Sequence, residues 1–387
     1  MIALLVACSA GAPPRRAPHG DAAMVGRPLG MNDVSILLPL PRDIGRPMIA
    51  ALDARGGAVV DRRSFDTLVT VHGDIAPRTG GAITFDDFQV VAVRFDLCDR
   101  SAIGPCPPEA TGRLRLVLQP LYARAGLTFA HDVALHAFYP IPAAEMSGVI
   151  DALRRLSRIR PDPRAVPLSV SPAATAGDVR YLDGLRALVL RYARAVNLVR
   201  LTVIGQVADS AAFAWIFRGL DRDGDELVPM VIPGIASTQQ TVQLAGGDTV
   251  YRAAPMADFP SGFALATNGP RFRAATSGQR WSSLAALTEL QNPTLHDTTD
   301  TQCIGCHLAT FLTARRAAAS GIQPSTLPGW FASPRAQSVH TLADADPRVV
   351  RAFGWAGNVP AISQRVANDT AQVLSEIEAR FPPPRSP

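Results

Sequence analysis

Two thiols and an imidazole stand together in the run Cys303-Ile-Gly-Cys306-His307. Thiols at this spacing can each form a thioether with one vinyl group of a porphyrin. The histidine beside the second thiol is then held under the iron as its proximal ligand. The pattern is short but chemically specific, and cysteine is scarce, with five in 387 residues. Two plainer chemistries use the same side chains: a dithiol redox pair, or half of a zinc site completed by another histidine.

The other cysteines divide into a pair and a singleton. Cys98 and Cys106 flank the polar stretch Asp99 to Pro105 and are expected to close as a local disulfide, which requires an oxidising compartment. Such a small ring contributes roughly 2.5 kcal/mol on the chain-entropy model. Cys8 ends the apolar stretch Leu5-Val-Ala-Cys8, which resembles the lipobox of bacterial lipoproteins. That resemblance implies a lipidated Cys8 and a protein tethered to a membrane in the periplasm or at the cell surface, with the outer membrane expected because aspartate does not follow the cysteine. Only seven residues precede Cys8 and none is charged, short for a signal peptide; a start codon assigned too far downstream accounts for this. Ser9 to Asn32, rich in Ala, Gly, Pro and Arg, reads as a flexible tether, so residues 1–32 form anchor and linker.

The elements that must position the motif follow from periodicity. Residues 33–234 alternate strand-like and helix-like runs. Val34 to Leu40, Phe88 to Phe95, Leu114 to Gln119, Val133 to Tyr139 and Leu198 to Ile204 read as strands, and Phe213 to Leu220 with Leu227 to Ile232 as a hairpin. Helices are expected from Pro142 to Leu156 and from Asp178 to Val196. This predicts an α+β domain with a mixed sheet and two or more helices. Residues 235–279, rich in Gly, Thr, Ser, Ala and Pro, read as a connector with a few strands. Residues 280–387 offer about three helices: one from Ser282 stopped at Asn292-Pro293, one carrying Cys306 and His307 to Ser320 with Gly321 as its stop, and one over Ser363 to Arg380.

The size of this last region, its aromatic residues Trp330, Phe331, Phe353 and Trp355, and its Cys-x-x-Cys-His run resemble a mono-haem cytochrome c module. The resemblance implies one covalently attached haem c, through Cys303 and Cys306, with His307 on the iron. It departs from ordinary cytochromes c in the sixth ligand, because no methionine follows Met256. His340 and His296 are the distal candidates, with Met256 or an open position as the remaining alternatives. Imidazole in place of a thioether lowers the potential, and a six-coordinate low-spin haem is expected.

Several other features carry less. His131 and His136 lie five apart at one strand and read as ordinary histidines; Asp221 to Glu226 reads as a tight turn at Asp223-Gly224 rather than a calcium loop; Asp86-Asp87 reads as a solvated loop. The +5 formal charge is scattered, every cation is arginine, and no basic run supports nucleic-acid binding. No 20-residue apolar span is present. The function expected is a membrane-tethered periplasmic electron carrier acting between redox partner proteins. The alternatives are a haem oxidoreductase with a substrate site in the N-terminal domain, or a binding lipoprotein with structural haem or zinc.

Overall fold

In a computed structural model of the chain, the residues described are 28–51, 53, 58–69, 83–98, 106–107, 109–161, 167–206, 213–245, 249–336 and 345–383. Their strands are β1 (Ser35–Leu37), β2 (Phe88–Asp96), β3 (Gly112–Arg124), β4 (Leu127–Ala130), β5 (Val133–Ile141), β6 (Arg200–Gln206), β7 (Phe213–Asp223), β8 (Glu226–Pro229), β9 (Gln239–Ala245), β10 (Val250–Ala254), β11 (Phe353–Ala356) and β12 (Val359–Ile362). The helices are α1 (Met31–Val34), α2 (Arg62–Val69), α3 (Met146–Ile159), α4 (Pro172–Thr175), α5 (Val179–Tyr192), α6 (Phe263–Ala266), α7 (Gly269–Ala274), α8 (Ser277–Leu290), α9 (Cys303–Ser320) and α10 (Gln364–Arg380).

Ten strands form one sheet in the order β1-β2-β3-β5-β6-β7-β9-β10, with β4 attached to β3 and β8 to β7. The protein is α+β, as its alternating runs imply, but the sheet is not mixed: its strand ladders are antiparallel throughout. The hairpin at Asp223 is present, with Gly224 at φ +57, a conformation that suits glycine. The stretch after residue 235 supplies two of the sheet's strands, β9 and β10.

Side chains alternate between the two faces of a strand, so paired residues share a face. Leu116, Ala137, Leu201 and Leu220 fall on one face with Tyr139, whose hydroxyl donates to the Val59 carbonyl at 2.8 Å; helices α2 and α5 pack from this side. The opposite face carries three rows. The first runs Arg94, Arg115, Phe138, Arg200, Asp221 across five strands. The second is Ala92, Val117, His136, Thr202, Gly219, and the third is Ala134, Ile204, Phe217, Gln240.

This second face meets α9 and α10. The stop of α9 is a left-handed Gly321 (φ 68), and α10 starts at Ser363, whose side chain accepts from the Val366 amide, so both ends follow their sequence signals. Helix α8 begins earlier than expected. Thr276 and Gln279 form a reciprocal capping box that places its first turn at Ser277. Helix α10 is tied to the sheet by buried charge: Asp369 accepts from Arg94 at 3.3 Å and from Arg365 at 2.9 Å. Ser35 and Thr370 share a buried hydroxyl contact at 2.7 Å. Among the described residues no helix is long and apolar enough to cross a membrane.

Candidate functional site

Cys303 opens α9, so the motif occupies the helix's first turn and a half. Its position is set from the sheet. Gln240, fully buried in the third row, donates to the Gln302 side chain at 3.0 Å and accepts from the Ile304 amide at 3.1 Å. Gln302 is also held by the Ala257 backbone, donating to its carbonyl at 2.6 Å. Gly305 permits close approach of α8, since a Cβ there would lie 3.3 Å from Leu290. The three reactive groups therefore sit at a fixed height over the sheet.

Cys303, Cys306 and His307 line a partly open cavity with about 120 Å³ of free space between sheet and helices. Its walls include Phe138, Ile204, Phe217, Met230, Ala352 and Val366, together with His136 and Thr202. Gly219 lies in the same row as His136 and Thr202. A Cβ there would approach Thr202 to 2.9 Å and the Met230 methyl to 3.0 Å.

Burial favours the neutral forms of the imidazole and thiol donors. The Nδ1 of His307 is 2.6 Å from the Val350 carbonyl oxygen, which fixes Nδ1–H as the donor and leaves Nε2 as the free lone pair. Burial pushes His307 down to about 4 against the opposing pull of that carbonyl, so the ring is neutral at physiological pH. Burial holds His136 well below the ordinary histidine range, with His307, Arg115 and Arg351 adding to the effect. Burial also pushes the Cys303 thiol up to about 12, and it raises Cys306 despite a 3.2 Å contact with the Thr301 hydroxyl. Nucleophilic dithiol pairs work by lowered thiol pKa values; these thiols are shifted the other way.

One edge of the cavity is cationic. Arg113 and Arg115 both stack over Phe138, at 5.3 and 4.9 Å from its centroid. Burial, reinforced by Arg115, lowers Arg113 to about 9. Arg115 donates to Asp96 at 3.3 Å, but its buried Nε has no partner among the described residues. Arg200 pairs with Asp221. Arg115, which lines the cavity, keeps a donor turned to no carboxylate, which makes this edge a place for an anionic group.

The remaining residues singled out in the sequence are dispersed. Cys98 and Cys106 form a disulfide with Cα atoms 5.7 Å apart, at the end of β2. His296 does not line the cavity: its Nδ1 is 3.1 Å from Asp300 and its ring meets Phe259 edge-on. Met256 is over one-third exposed beside a separate surface hollow. His340 and Cys8 lie outside the described residues. His131 stacks on Tyr122 ahead of β5, whereas His136 belongs to the strand and faces the cavity. No signal in the sequence marks this placement of His136, because its partners Val117 and Thr202 come from other strands. Among the described residues no group of three or more His, Cys, Asp or Glu side chains converges as a metal-ion site. No protein-family model, curated protein or solved structure matches the chain.

Proposed function

We propose that this chain is a c-type cytochrome that carries single electrons between redox partner proteins, with one haem c bound through Cys303 and Cys306. The observation that carries the reading is the orientation of His307: its Nδ1 is engaged by the Val350 carbonyl and its ring borders a largely apolar cavity shared with both thiols. A backbone carbonyl on the outer nitrogen is the usual means of fixing the tautomer and raising the basicity of a metal-bound imidazole.

The residues present fit the group. Cys303 and Cys306 would supply the two thioether sulfurs and His307 the proximal nitrogen. Phe217, Ile204, Val366 and Phe138 would wall the ring, and Arg115 would meet a carboxylate at its edge. When bound, the haem supplies a one-electron ferric/ferrous couple. The chain's part is to exclude water, to fix His307, and to set the local charge through Arg115. Zinc is less well supported, because a tetrahedral ion needs donors converging on one point.

The Cys98–Cys106 disulfide suits an oxidising compartment. Together with the lipobox-like run at Cys8 it supports a periplasmic or surface protein anchored by lipid, the outer membrane being the expected location. Residues 280–387 would be the cytochrome-like part, completed by a wall from the sheet. The test is expression with a cytochrome c maturation system, followed by haem staining on a denaturing gel and intact mass. One haem per chain is expected, lost in Cys303→Ser/Cys306→Ser. Free, alkylatable thiols at both positions in protein from its native host would overturn the proposal.

A further inference from the structure

We infer that His136, on β5, is the sixth ligand of the iron, which makes this a bis-imidazole haem whose two axial ligands come from the sheet and from α9. The inference rests on the proposed reading of Cys303, Cys306 and His307. Two imidazoles on opposite sides of one first-row metal ion, with metal–nitrogen distances of about 2.0–2.1 Å and ring centres about 1.1 Å behind each nitrogen, have centroids about 6.3 Å apart. The centroids of His136 and His307 are 6.4 Å apart, with both rings on the same cavity.

His136 has the other properties of a ligand. It is largely buried in the middle of a strand paired on both sides, so its backbone is held rigidly. Its ring has no hydrogen-bond partner among the described residues and borders the cavity, so its nitrogens are open to it. Its direct neighbours in the row are Val117 and Thr202, with the small Ala92 and Gly219 one strand further out on either side. Met230 is the other cavity side chain able to bind iron. Its methyl is turned against the Gly219 position, and its thioether would instead give a histidine–methionine centre.

The test uses the matured full-length protein and reads spectra rather than turnover. Covalent haem on a denaturing gel is scored first, because its absence from the wild type defeats the underlying reading and not the ligand assignment. With haem attached, electron-spin resonance and near-infrared magnetic circular dichroism of the ferric protein are expected to show low-spin bis-imidazole ligation. A methionine-to-iron signature or a high-spin wild type overturns the inference. His136→Ala and His136→Gln are expected to keep the covalent haem, become high-spin and return to low-spin on adding imidazole. Bis-imidazole spectra retained in these variants would assign the position to another histidine and overturn the proposal. Should neither variant accumulate, the combined His296→Ala/His340→Ala/Met230→Leu protein decides the matter: unchanged bis-imidazole spectra support His136, and their loss refutes it.

Discussion

Asp369 offers the sharpest test of how α10 is held to the sheet. It and Asp96 are the two carboxylates of a buried cluster with three guanidiniums, those of Arg94, Arg115 and Arg365. The side chains of Arg94, Arg365 and Asp96 are each under one-tenth exposed, and Asp369 is 16% exposed. Asp369→Asn preserves the shape and one acceptor but leaves three cations facing Asp96 alone. Breaking a buried pair by removing one partner costs about 3–5 kcal/mol, because an uncompensated charge stays behind. The amide oxygen still accepts one N–H, so a loss of about 3 kcal/mol is expected, from the lower end of that range. Urea denaturation followed by tryptophan fluorescence measures it. Because buried charges are poorly screened, most of the loss should persist at high salt. The double variant Arg94→Met/Asp369→Asn should recover part of it, since the pair is coupled. A loss below about 1 kcal/mol, the range of exposed ion pairs, would refute the idea that this network fastens α10 to β2.

Other outcomes follow from the same interior. Burial works against the charge of Asp96, but Arg94 and Arg115 outweigh it and hold its carboxyl below the usual range. A depressed carboxylate contributes stability that is fully present above its unfolded value of about 3.9 and lost as pH falls through the folded value. Acid titration should therefore show steep destabilisation below about pH 4, and Asp96→Asn should be weaker at neutral pH with a flatter acid limb. The Cys98–Cys106 ring spans a sequence separation of 8, and Cys98→Ser/Cys106→Ser should lower stability by about 2.5 kcal/mol; no change in the denaturation midpoint would mean the ring constrains nothing. Gly354 has φ +144, and a Cβ there would fall 2.5 Å from the Gln119 side-chain oxygen that accepts from the Trp355 amide. Gly354→Ala should cost about 2–3 kcal/mol in a thermal or urea melt, against almost nothing if β11 can shift.

What the sequence disclosed depended on whether the signal was local. The spacing of Cys303, Cys306 and His307 is read within five residues, and the Cys98–Cys106 pair within nine. Strands β2, β3, β5 and β6 carry apolar runs strong enough to declare themselves, and Gly321 and Ser363 mark their helix ends through backbone conformation and capping. Strand β9 is harder to see because its inward-facing Gln240 is polar, buried to hold the start of α9, and so weakens the alternation on which strand recognition relies. The start of α8 is hidden because its cap, Thr276 with Gln279, lies upstream of the first apolar position, Leu284, next to which Ser282 also fits as a cap.

The site itself could not have been read in this way, because it is a property of strand pairing. His136 and Thr202 face the same cavity only because β5 and β6 pair in one particular register, across a crossing that contains α3, α4 and α5. A shift of one residue would turn His136 to the opposite face and bring Leu135 or Ala137 forward. The register is held by the apolar residues of the other face, Leu135, Ala137 and Tyr139 against Leu201 and Val203, which must stay buried against the helices behind them. The packing core on one side of the sheet thus fixes which side chains face the cavity on the other. On the proposed reading, the environment of the iron is governed as much by residues 112–223 as by the segment that carries the thiols. Substitutions behind the sheet should then reach the haem through strand register and twist rather than through direct contact.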